Sequence, residues 1–404
     1  MLLAPRWFNR ILKWTLGAYL SYRYNVTGVN TELLEKVPPP YLLIPNHVNY
    51  WDPFLISMFI DRPVYFVAAD GNFRSTLMRR LLTLVGAIPK AKAKSDTAAV
   101  RNMVELLRRG EVVGVFAEGQ RTWDGEGLEP LPATAKLLRF LRTTVVVPHL
   151  RGAYLSLPRW SPVRRKGVLE IAFDESRVLS AGQIQSMKLA ELDSWLRKAI
   201  SFSESSWQAE HMIPFVSPRQ AEYAETLLYA CPDCEKLGTL RSSRKRLTCG
   251  NCGFQAFFDR YGYLTGPFDT VSAWNSWQKE MLRRSLEVWA SNGSGEPYLE
   301  QSDLLLRTGR GARPLHRRGI VSIALRRDGL EIVPQGRDIG GIRHRAGSQV
   351  LAYSEIHGVH VQLRQDLEFY HRQRLYVLTP RNERVSSHLW ERLILEAQAI
   401  RFTG

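Results

Sequence analysis

Short apolar segments alternate with amphipathic helix patterns between residues 24 and 200. This alternation constrains the fold most, because it predicts an α/β domain with a mixed, largely parallel sheet. Ligands of such folds bind beyond the carboxyl ends of the strands. The predicted strands are Tyr24–Val29, Tyr41–Ile44, Val64–Val67, Val112–Phe116, Val145–Pro148 and Leu169–Phe173. The predicted helices are Pro53–Ile60, Thr76–Leu84, Thr97–Arg109, Ala133–Arg142 and Leu189–Ile200.

The first candidate site follows the predicted strand Tyr41–Ile44. His47 is expected on the turn after this strand, with Asp52 as the N-cap of the next helix and Pro53 in its first turn. A carboxylate that folds back onto an imidazole fixes its tautomer and stabilises the imidazolium, so the pair could deprotonate an alcohol. Alternatively, Asp52 only caps the helix and His47 is an ordinary turn residue. A carboxylate has two oxygens, so the two roles of Asp52 are compatible.

A second polar stretch, Phe116–Thr122, also lies at the end of a predicted strand. Together the two stretches resemble motifs of the glycerophosphate and lysophosphatidate acyltransferase (PlsC-like) family. The family motif NHxxxxD is matched by Asn46, His47 and Asp52. The motif FPEGTRS is matched by Phe116, Glu118, Gly119 and Arg121, whereas Ala117, Gln120 and Thr122 depart from it.

Two further motifs of the family are matched more loosely. Gly86–Lys90 resembles the second motif, with Lys90 or Lys92 where the family usually has arginine. Val147-Pro148 matches the strand-borne fourth motif, although His149 follows where an apolar residue is usual. The resemblance covers residues 25 to 175, which is less than half of the chain.

The resemblance implies a general-base mechanism in which His47 deprotonates the acceptor hydroxyl and Asp52 orients the imidazole. The hydroxyl oxygen would then attack an acyl thioester supplied by acyl-CoA or acyl-carrier protein. The implied acceptor is a lysophospholipid, and 1-acylglycerol-3-phosphate is the first candidate. Because the second motif is altered, another alcohol is also compatible with the resemblance. The resemblance also assigns substrate binding to Asn46, Lys90, Lys92, Glu118, Gly119 and Arg121.

The charge balance points to anionic partners. The chain has 55 Lys and Arg against 39 Asp and Glu, a net charge of +16, which suits a phospholipid surface, nucleic acid or phosphorylated small molecules. No segment approaches the roughly 20 apolar residues that span a bilayer, and no signal peptide is evident.

The N-terminal residues 1–23 contain four cations, several aromatic residues and no acid. This composition predicts an amphipathic helix that lies in the membrane interface. Alternatively, its aromatic residues pack on the domain. We expect a peripheral protein on the cytoplasmic face of a membrane.

The four cysteines of the chain form two CxxC pairs with 14 residues between them. This spacing predicts a closed, structural zinc site in a zinc ribbon, in which each pair contributes one knuckle. Two disulfides or free thiols are the alternatives. The predicted ligands are Cys231, Cys234, Cys249 and Cys252.

The remaining chain predicts a second, β-rich region that ends in a helix. Its element order is similar to that of a pleckstrin-homology (PH) or GRAM-like domain, and the basic segment Arg307–Arg318 is expected to be a loop. The predicted strands are Ile320–Leu325, Leu330–Val333, Val350–Tyr353, Val359–Leu363, Leu367–Tyr370 and Leu375–Leu378. The predicted domains are the interfacial helix 1–23, the acyltransferase domain 24–200, a linker and helix 201–229, the zinc ribbon 230–268, a connecting helix 269–293 and the β-rich domain 300–404.

Two functions of different classes are consistent with these features. The first is a peripheral membrane acyltransferase. The second is a non-catalytic zinc-ribbon protein that binds nucleic acid or an anionic membrane as a scaffold. A scaffold has no need of the His47 and Asp52 pair together with Glu118 and Arg121, so the enzyme is preferred and nucleic acid is not the expected partner. Acyl chain length, the choice of donor and the oligomeric state stay open.

Overall fold

The structure of the protein is a computed structural model that describes residues 3–91, 96–293, 295–335 and 347–400. The chain divides into two units. The first extends to Gln220 and includes Asp259–Tyr263, and the second comprises Ala221–Phe258 and the chain from Leu264 onward. Asp259–Tyr263 joins the first unit because the backbone N–H of Phe215 donates to the carbonyl of Arg260 at 2.6 Å. The predicted segments 201–229 and 230–268 are therefore each divided between the units, and the other predicted boundaries stay predictions.

The first unit contains two sheets that confirm the predicted α/β fold with a mixed, largely parallel sheet. Its strands are β1 (Val26–Val29), β2 (Tyr41–Leu43), β3 (Val64–Ala69), β4 (Ile88–Lys90), β5 (Val112–Gly114), β6 (Thr144–Val146), β7 (His149–Arg151), β8 (Leu169–Ala172) and β9 (Val178–Leu179). The main sheet has the order β4-β3-β5-β2-β6-β9, in which only β6 and β9 pair antiparallel. The smaller sheet has the order β1-β8-β7.

The helices of the first unit connect these strands. They are α1 (Arg6–Leu12), α2 (Ala18–Tyr24), α3 (Leu33–Lys36), α4 (Asp52–Ser57), α5 (Thr76–Leu84), α6 (Thr97–Arg108), α7 (Thr134–Leu141), α8 (Ala153–Ser156), α9 (Ala181–Ser186), α10 (Leu189–Ile200) and α11 (Glu204–His211). A π-helical turn, Lys13–Gly17, joins α1 to α2. Among the described residues, none of the helices combines the length and the apolar character needed to cross a bilayer.

The hydrophobic core surrounds the two central strands of the main sheet. Every residue of β2 and β5 is buried, as expected for parallel strands that are covered on both faces. Met103 of α6, Leu138 of α7 and Leu196 of α10 belong to the same core. The loops that follow β2 and β5 therefore leave the sheet side by side from a rigid base.

Two local predictions differ from the structure. The predicted strand Tyr24–Val29 begins only at Val26, because Tyr24 completes α2 and Asn25 ends the helix with a left-handed φ of 48°. The prediction that Asp52 is the N-cap of α4 is wrong. The N-cap position is Trp51, and Asp52 is the first helical residue, whose carboxylate bonds instead to residues 47–49.

The second unit contains a small antiparallel sheet and a larger one. The strands are β10 (Leu240–Ser243), β11 (Arg246–Cys249), β12 (Gln255–Phe257), β13 (Glu300–Gly309), β14 (His316–Leu325), β15 (Leu330–Pro334), β16 (Gln349–Leu351), β17 (Ile356–Gln362), β18 (Asp366–His371) and β19 (Arg374–Pro380). The helices are α12 (Val271–Ser291) and α13 (Ser387–Ala399). The larger sheet has the order β16-β15-β14-β13-β19-β18-β17, and all its pairs are antiparallel.

The antiparallel strands and the closing helix agree with the predicted β-rich region, whose PH or GRAM-like identity stays a prediction. The expectation of a loop over Arg307–Arg318 is wrong in part. β13 continues through Arg307 to Gly309 and β14 already begins at His316, because both strands pair with neighbours over these residues. Only a short turn remains between them.

Candidate active site

The two motif-bearing loops leave the sheet from adjacent strands and are joined by their backbones. Val115, just beyond β5, donates its N–H to the carbonyl of Leu43 at the end of β2 at 2.8 Å. Further along, the N–H of Thr122 donates to the carbonyl of His47 at 2.9 Å. The stretch around His47 and the stretch Phe116–Thr122 therefore form one structural site at the carboxyl ends of parallel strands.

His47 and Asp52 form a direct hydrogen-bonded pair. The Nδ1 of His47 lies 2.8 Å from the Oδ2 of Asp52, and the same oxygen accepts the backbone N–H groups of Val48 at 2.6 Å and Asn49 at 2.9 Å. Asp52 is fully buried, whereas the His47 side chain remains 19% exposed. Because a carboxylate oxygen can only accept, Nδ1 carries the proton and Nε2 of the neutral ring is left as the basic nitrogen.

The surroundings of His47 keep its imidazole neutral. The ring stacks on Phe116 with 3.9 Å between centroids. Burial lowers the pKa of His47, and the hydrogen bond to Asp52 offsets this only in part. A histidine with a lowered pKa is unprotonated at neutral pH, which is the form that can accept a proton.

Glu118 and Gly119 shape the loop that faces His47. The buried Glu118 accepts the backbone N–H of His47 at 3.2 Å through Oε1 and that of Leu128 at 3.4 Å through Oε2. Burial raises the pKa of Glu118 to about 8. Gly119 has a φ of +71°, which favours glycine at this turn. In this structure Glu118 fixes the backbone that carries His47, and its predicted part in substrate binding stays a prediction.

Asn46 is also bound to the fold. Its Nδ2 donates to the carbonyl of Leu150 at 3.1 Å, and its Oδ1 accepts the N–H of Leu150 at 2.8 Å. The buried side chain thus ties the start of the His47 loop to β7. Its predicted part in substrate binding is not tested.

Arg121 lies near the pair, together with a second arginine that the sequence does not mark. Burial lowers the pKa of Arg121, and the charge of Asp52 acts against this effect. The buried Arg159 donates from Nη1 to the carbonyl of Arg121 at 2.8 Å, and its guanidinium lies 4.0 Å from the centroid of the Trp123 ring. Both guanidinium groups lower the pKa of His47. No motif signals Arg159, because it reaches the site from a loop 38 residues away.

The predicted lysines are not brought into the same group. Lys90 ends the edge strand β4, which is separated from β2 by β3 and β5, so it lies about 14 Å along the sheet at the usual strand spacing. Lys92 lies outside the described residues. Lys90 lies at the same carboxyl-end side of the sheet but farther away. The predicted site residues that the structure brings together are Asn46, His47, Asp52, Glu118, Gly119 and Arg121.

The four cysteines of the second unit converge on one point. All four Sγ atoms lie within 4.8 Å of one another, with 3.6 Å between Cys231 and Cys252 and 3.8 Å between Cys234 and Cys249. These distances are too long for disulfides, whose sulfurs are about 2.05 Å apart. A tetrahedron with Zn–S bonds of about 2.3 Å places its sulfurs about 3.8 Å apart, so the arrangement fits the predicted metal.

Comparisons with known proteins match the part of the chain that carries His47 and Asp52. The family model named Acyltransferase matches residues 28–150, which include the complete His47, Asp52 and Arg121 arrangement. The matched segment makes up less than half of the chain.

Two named relatives extend the comparison. A chloroplastic 1-acyl-sn-glycerol-3-phosphate acyltransferase of Arabidopsis thaliana is 24% identical over 113 residues, which are 28% of this chain and 31% of that protein. A probable 1-acyl-sn-glycerol-3-phosphate acyltransferase of Mycoplasma genitalium is 23% identical over 176 residues, 42% of this chain and 65% of that protein. The chain thus spans less than two thirds of either relative.

A solved structure is similar at low identity. The 1-acyl-sn-glycerophosphate (LPA) acyltransferase PlsC from Thermotoga maritima aligns with a TM-score of 0.39 and 16% identity, covering 51% of this chain and 78% of that chain.

Proposed function

We propose that the protein transfers a fatty acyl group from acyl-CoA or acyl-carrier protein to the hydroxyl of a lysophospholipid. The first candidate acceptor is 1-acylglycerol-3-phosphate. The observation that carries the proposal is the His47–Asp52 pair, in which one carboxylate oxygen holds the ring and two backbone N–H groups at once. The pair lies inside the segment that matches the acyltransferase family. The choice of acceptor follows the names of the two relatives, a 1-acyl-sn-glycerol-3-phosphate acyltransferase and a probable one.

The proposed chemistry needs one proton shuttle and no covalent enzyme intermediate. Nε2 of His47 accepts the hydroxyl proton while the hydroxyl oxygen forms a bond to the thioester carbon. When the tetrahedral intermediate collapses, the C–S bond breaks and the imidazolium protonates the departing thiolate. Asp52 stabilises the imidazolium between these two steps. The four cysteines of the chain all lie beyond residue 230, so this domain contains no thiol nucleophile.

The acceptor phosphate is assigned to the arginines of the site. Arg121 presents the planar fork that binds phosphate oxygens in pairs, and Arg159 supports the Arg121 backbone. Glu118 accepts the His47 N–H and Gly119 permits the turn, and both keep the Arg121 loop in place. Lys90 and Lys92 would contribute positive charge from the edge of the sheet, and Asn46 would position the loop.

The direct test is an acyl-transfer assay with the purified protein. Labelled acyl-CoA and acyl-carrier protein are offered in parallel with 1-acylglycerol-3-phosphate, other lysophospholipids and neutral alcohols, and the products are resolved by mass. We expect acylated product with phosphate-bearing acceptors. Absence of product with every acceptor and donor, together with salt-dependent binding to nucleic acid, would support the scaffold function instead.

Arg121→Lys is expected to weaken the use of phosphate-bearing acceptors about ten- to hundredfold in kcat/KM, because lysine keeps the charge but loses the paired hydrogen bonds. Neutral acceptors should be affected little. The exposed Arg101→Lys on α6 serves as the matched control. Equal losses for charged and neutral acceptors would show that Arg121 has another role.

We also propose that the cysteine cluster holds one structural zinc ion. Four thiolates close the coordination sphere and leave no open position for a substrate, so the ion would stabilise β10, β11 and β12 rather than take part in acyl transfer.

Elemental analysis of reduced protein is expected to find one zinc per chain, and Cys249→Ser should lose it because three thiolates remain. Hydrogen exchange should then become faster over residues 230–257, while acyl transfer persists. Absence of zinc from the unchanged protein, or an unchanged metal content in the Cys249→Ser variant, would contradict the proposed zinc site.

Attachment to the cytoplasmic face of a membrane is proposed for the N-terminal helix. Trp7 and Trp14 are exposed on α1 and the π turn that follows it, and Arg6 and Arg10 lie on the same helix. Aromatic rings with flanking cations favour the headgroup region of a bilayer that contains anionic lipid.

A further inference from the structure

Helix α5 presents an apolar face that the described part of the first unit leaves uncovered. None of its residues is buried, and Leu77, Leu81 and Leu84 are 69%, 45% and 43% exposed. An α-helix turns about 100° per residue, so these three side chains lie within about 60° of one another. They form a continuous stripe, hereafter the α5 stripe, with the exposed Met78 beside it.

The α5 stripe is unusual for a crossover helix of an α/β fold. α6 has a similar amphipathic pattern but buries Ala99, Met103, Leu106 and Leu107 in the core. α5 has nine residues, and helices shorter than about 12 residues are marginal in water unless an apolar face is packed. Grouped exposed leucines on a surface helix indicate an interaction site.

The charge around α5 selects the kind of partner. Between residues 71 and 91 the sequence has no Asp or Glu and has four cations, which are Arg74, Arg79, Arg80 and Lys90. An apolar stripe within a cationic segment matches the boundary between the acyl chains and the anionic headgroups of a bilayer. A second copy of this chain would meet the stripe with the same positive charge.

The C-terminal end of α5 lies close to the start of the N-terminal helix. The N–H of Ala4 donates to the hydroxyl of Tyr65 at 3.2 Å, and a Cβ placed on Gly86 would lie 3.2 Å from the Cβ of Ala4. The chain just before α1 therefore packs on the chain just after α5. Helix α1 thus begins, and helix α5 ends, at the same place in the fold.

We propose that the α5 stripe docks on an anionic phospholipid bilayer, with Leu77, Leu81 and Leu84 entering the acyl-chain boundary and Arg80 remaining at the headgroups. This surface is separate from the His47 site, and its binding does not depend on acyl transfer.

The test measures partitioning of the full chain onto vesicles of phosphatidylcholine mixed with phosphatidylglycerol. Leu77→Gln combined with Leu81→Gln is expected to lower the partition coefficient about tenfold or more, because two buried leucines are lost. Glutamine is a good helix former, so α5 itself should persist. Arg80→Gln should weaken binding to the mixed vesicles and leave binding to pure phosphatidylcholine unchanged.

The matched control is Phe140→Gln combined with Leu189→Gln, two exposed apolar residues of the same unit outside α5. It should partition like the unchanged protein, and both double variants should keep the same circular dichroism spectrum. Unchanged partitioning of the α5 variant would overturn the proposal. So would a dimer in lipid-free buffer that the α5 variant converts to monomer, because the stripe would then be covered by a second copy.

Discussion

Replacement of His47 by alanine is expected to lower acyl transfer by about 10² to 10⁴, the usual cost of removing a positioned general base. The loss should appear in kcat, because Nε2 acts on the hydroxyl proton during the reaction. The fold should persist, since the side chain is partly exposed and its backbone is held independently by Glu118 and by Thr122. The measurement is single-turnover acyl transfer beside thermal unfolding of the same preparation.

The control for this variant is His357→Ala, an exposed histidine of the second unit that lies outside the site. It should retain the full rate. A His47→Ala protein that is folded and turns over at a near-normal rate would exclude His47 as the base, whatever the acceptor.

Much of this site could be predicted because its parts are local in sequence. The apolar segment Tyr41–Ile44 predicts a buried strand, and the spacing from His47 to Asp52 predicts their contact, which the structure gives as 2.8 Å. The same local logic failed for the helix cap. An aspartate before proline usually caps, but the backbone N–H groups of Val48 and Asn49 compete for the same carboxylate and hold it on the loop.

Contacts between distant segments could not be read from the sequence. Arg159 reaches the site through a hydrogen bond to the backbone carbonyl of Arg121. Because every residue has a backbone carbonyl, no pattern of residue types in the sequence indicates this contact. The central strand β13 was missed because its first half is polar, and its pairing with β14 and β19 is what makes it a strand.

The sequence pattern also does not show whether the apolar face of a helix is exposed or buried. The periodicity of α5 predicts a helix over Thr76–Leu84, which the structure confirms, but it resembles that of the buried helix α6. Periodicity gives the face of a helix that is apolar, and only the fold determines whether another element covers that face.

Asp52→Asn is expected to have the second largest effect, a loss of up to about 10⁴ in kcat, as for other histidines whose orienting carboxylate becomes an amide. The carboxylate accepts three N–H groups through Oδ2. An amide oxygen in the same place has no negative charge to strengthen these hydrogen bonds or to stabilise the imidazolium.

The structure also predicts a stability cost for this variant. Hydrogen bonds to a charged group contribute about 1.5 to 3 kcal/mol each, so weakening three of them should lower the free energy of unfolding measurably. A purely structural role of Asp52 makes a different prediction, because the free energy of unfolding would fall and kcat would stay unchanged. The exposed Asp61→Asn, just beyond α4, controls for the loss of one negative charge. Kinetics and chemical denaturation of the two variants side by side separate these roles, and wild-type activity in a folded Asp52→Asn protein would remove Asp52 from the mechanism.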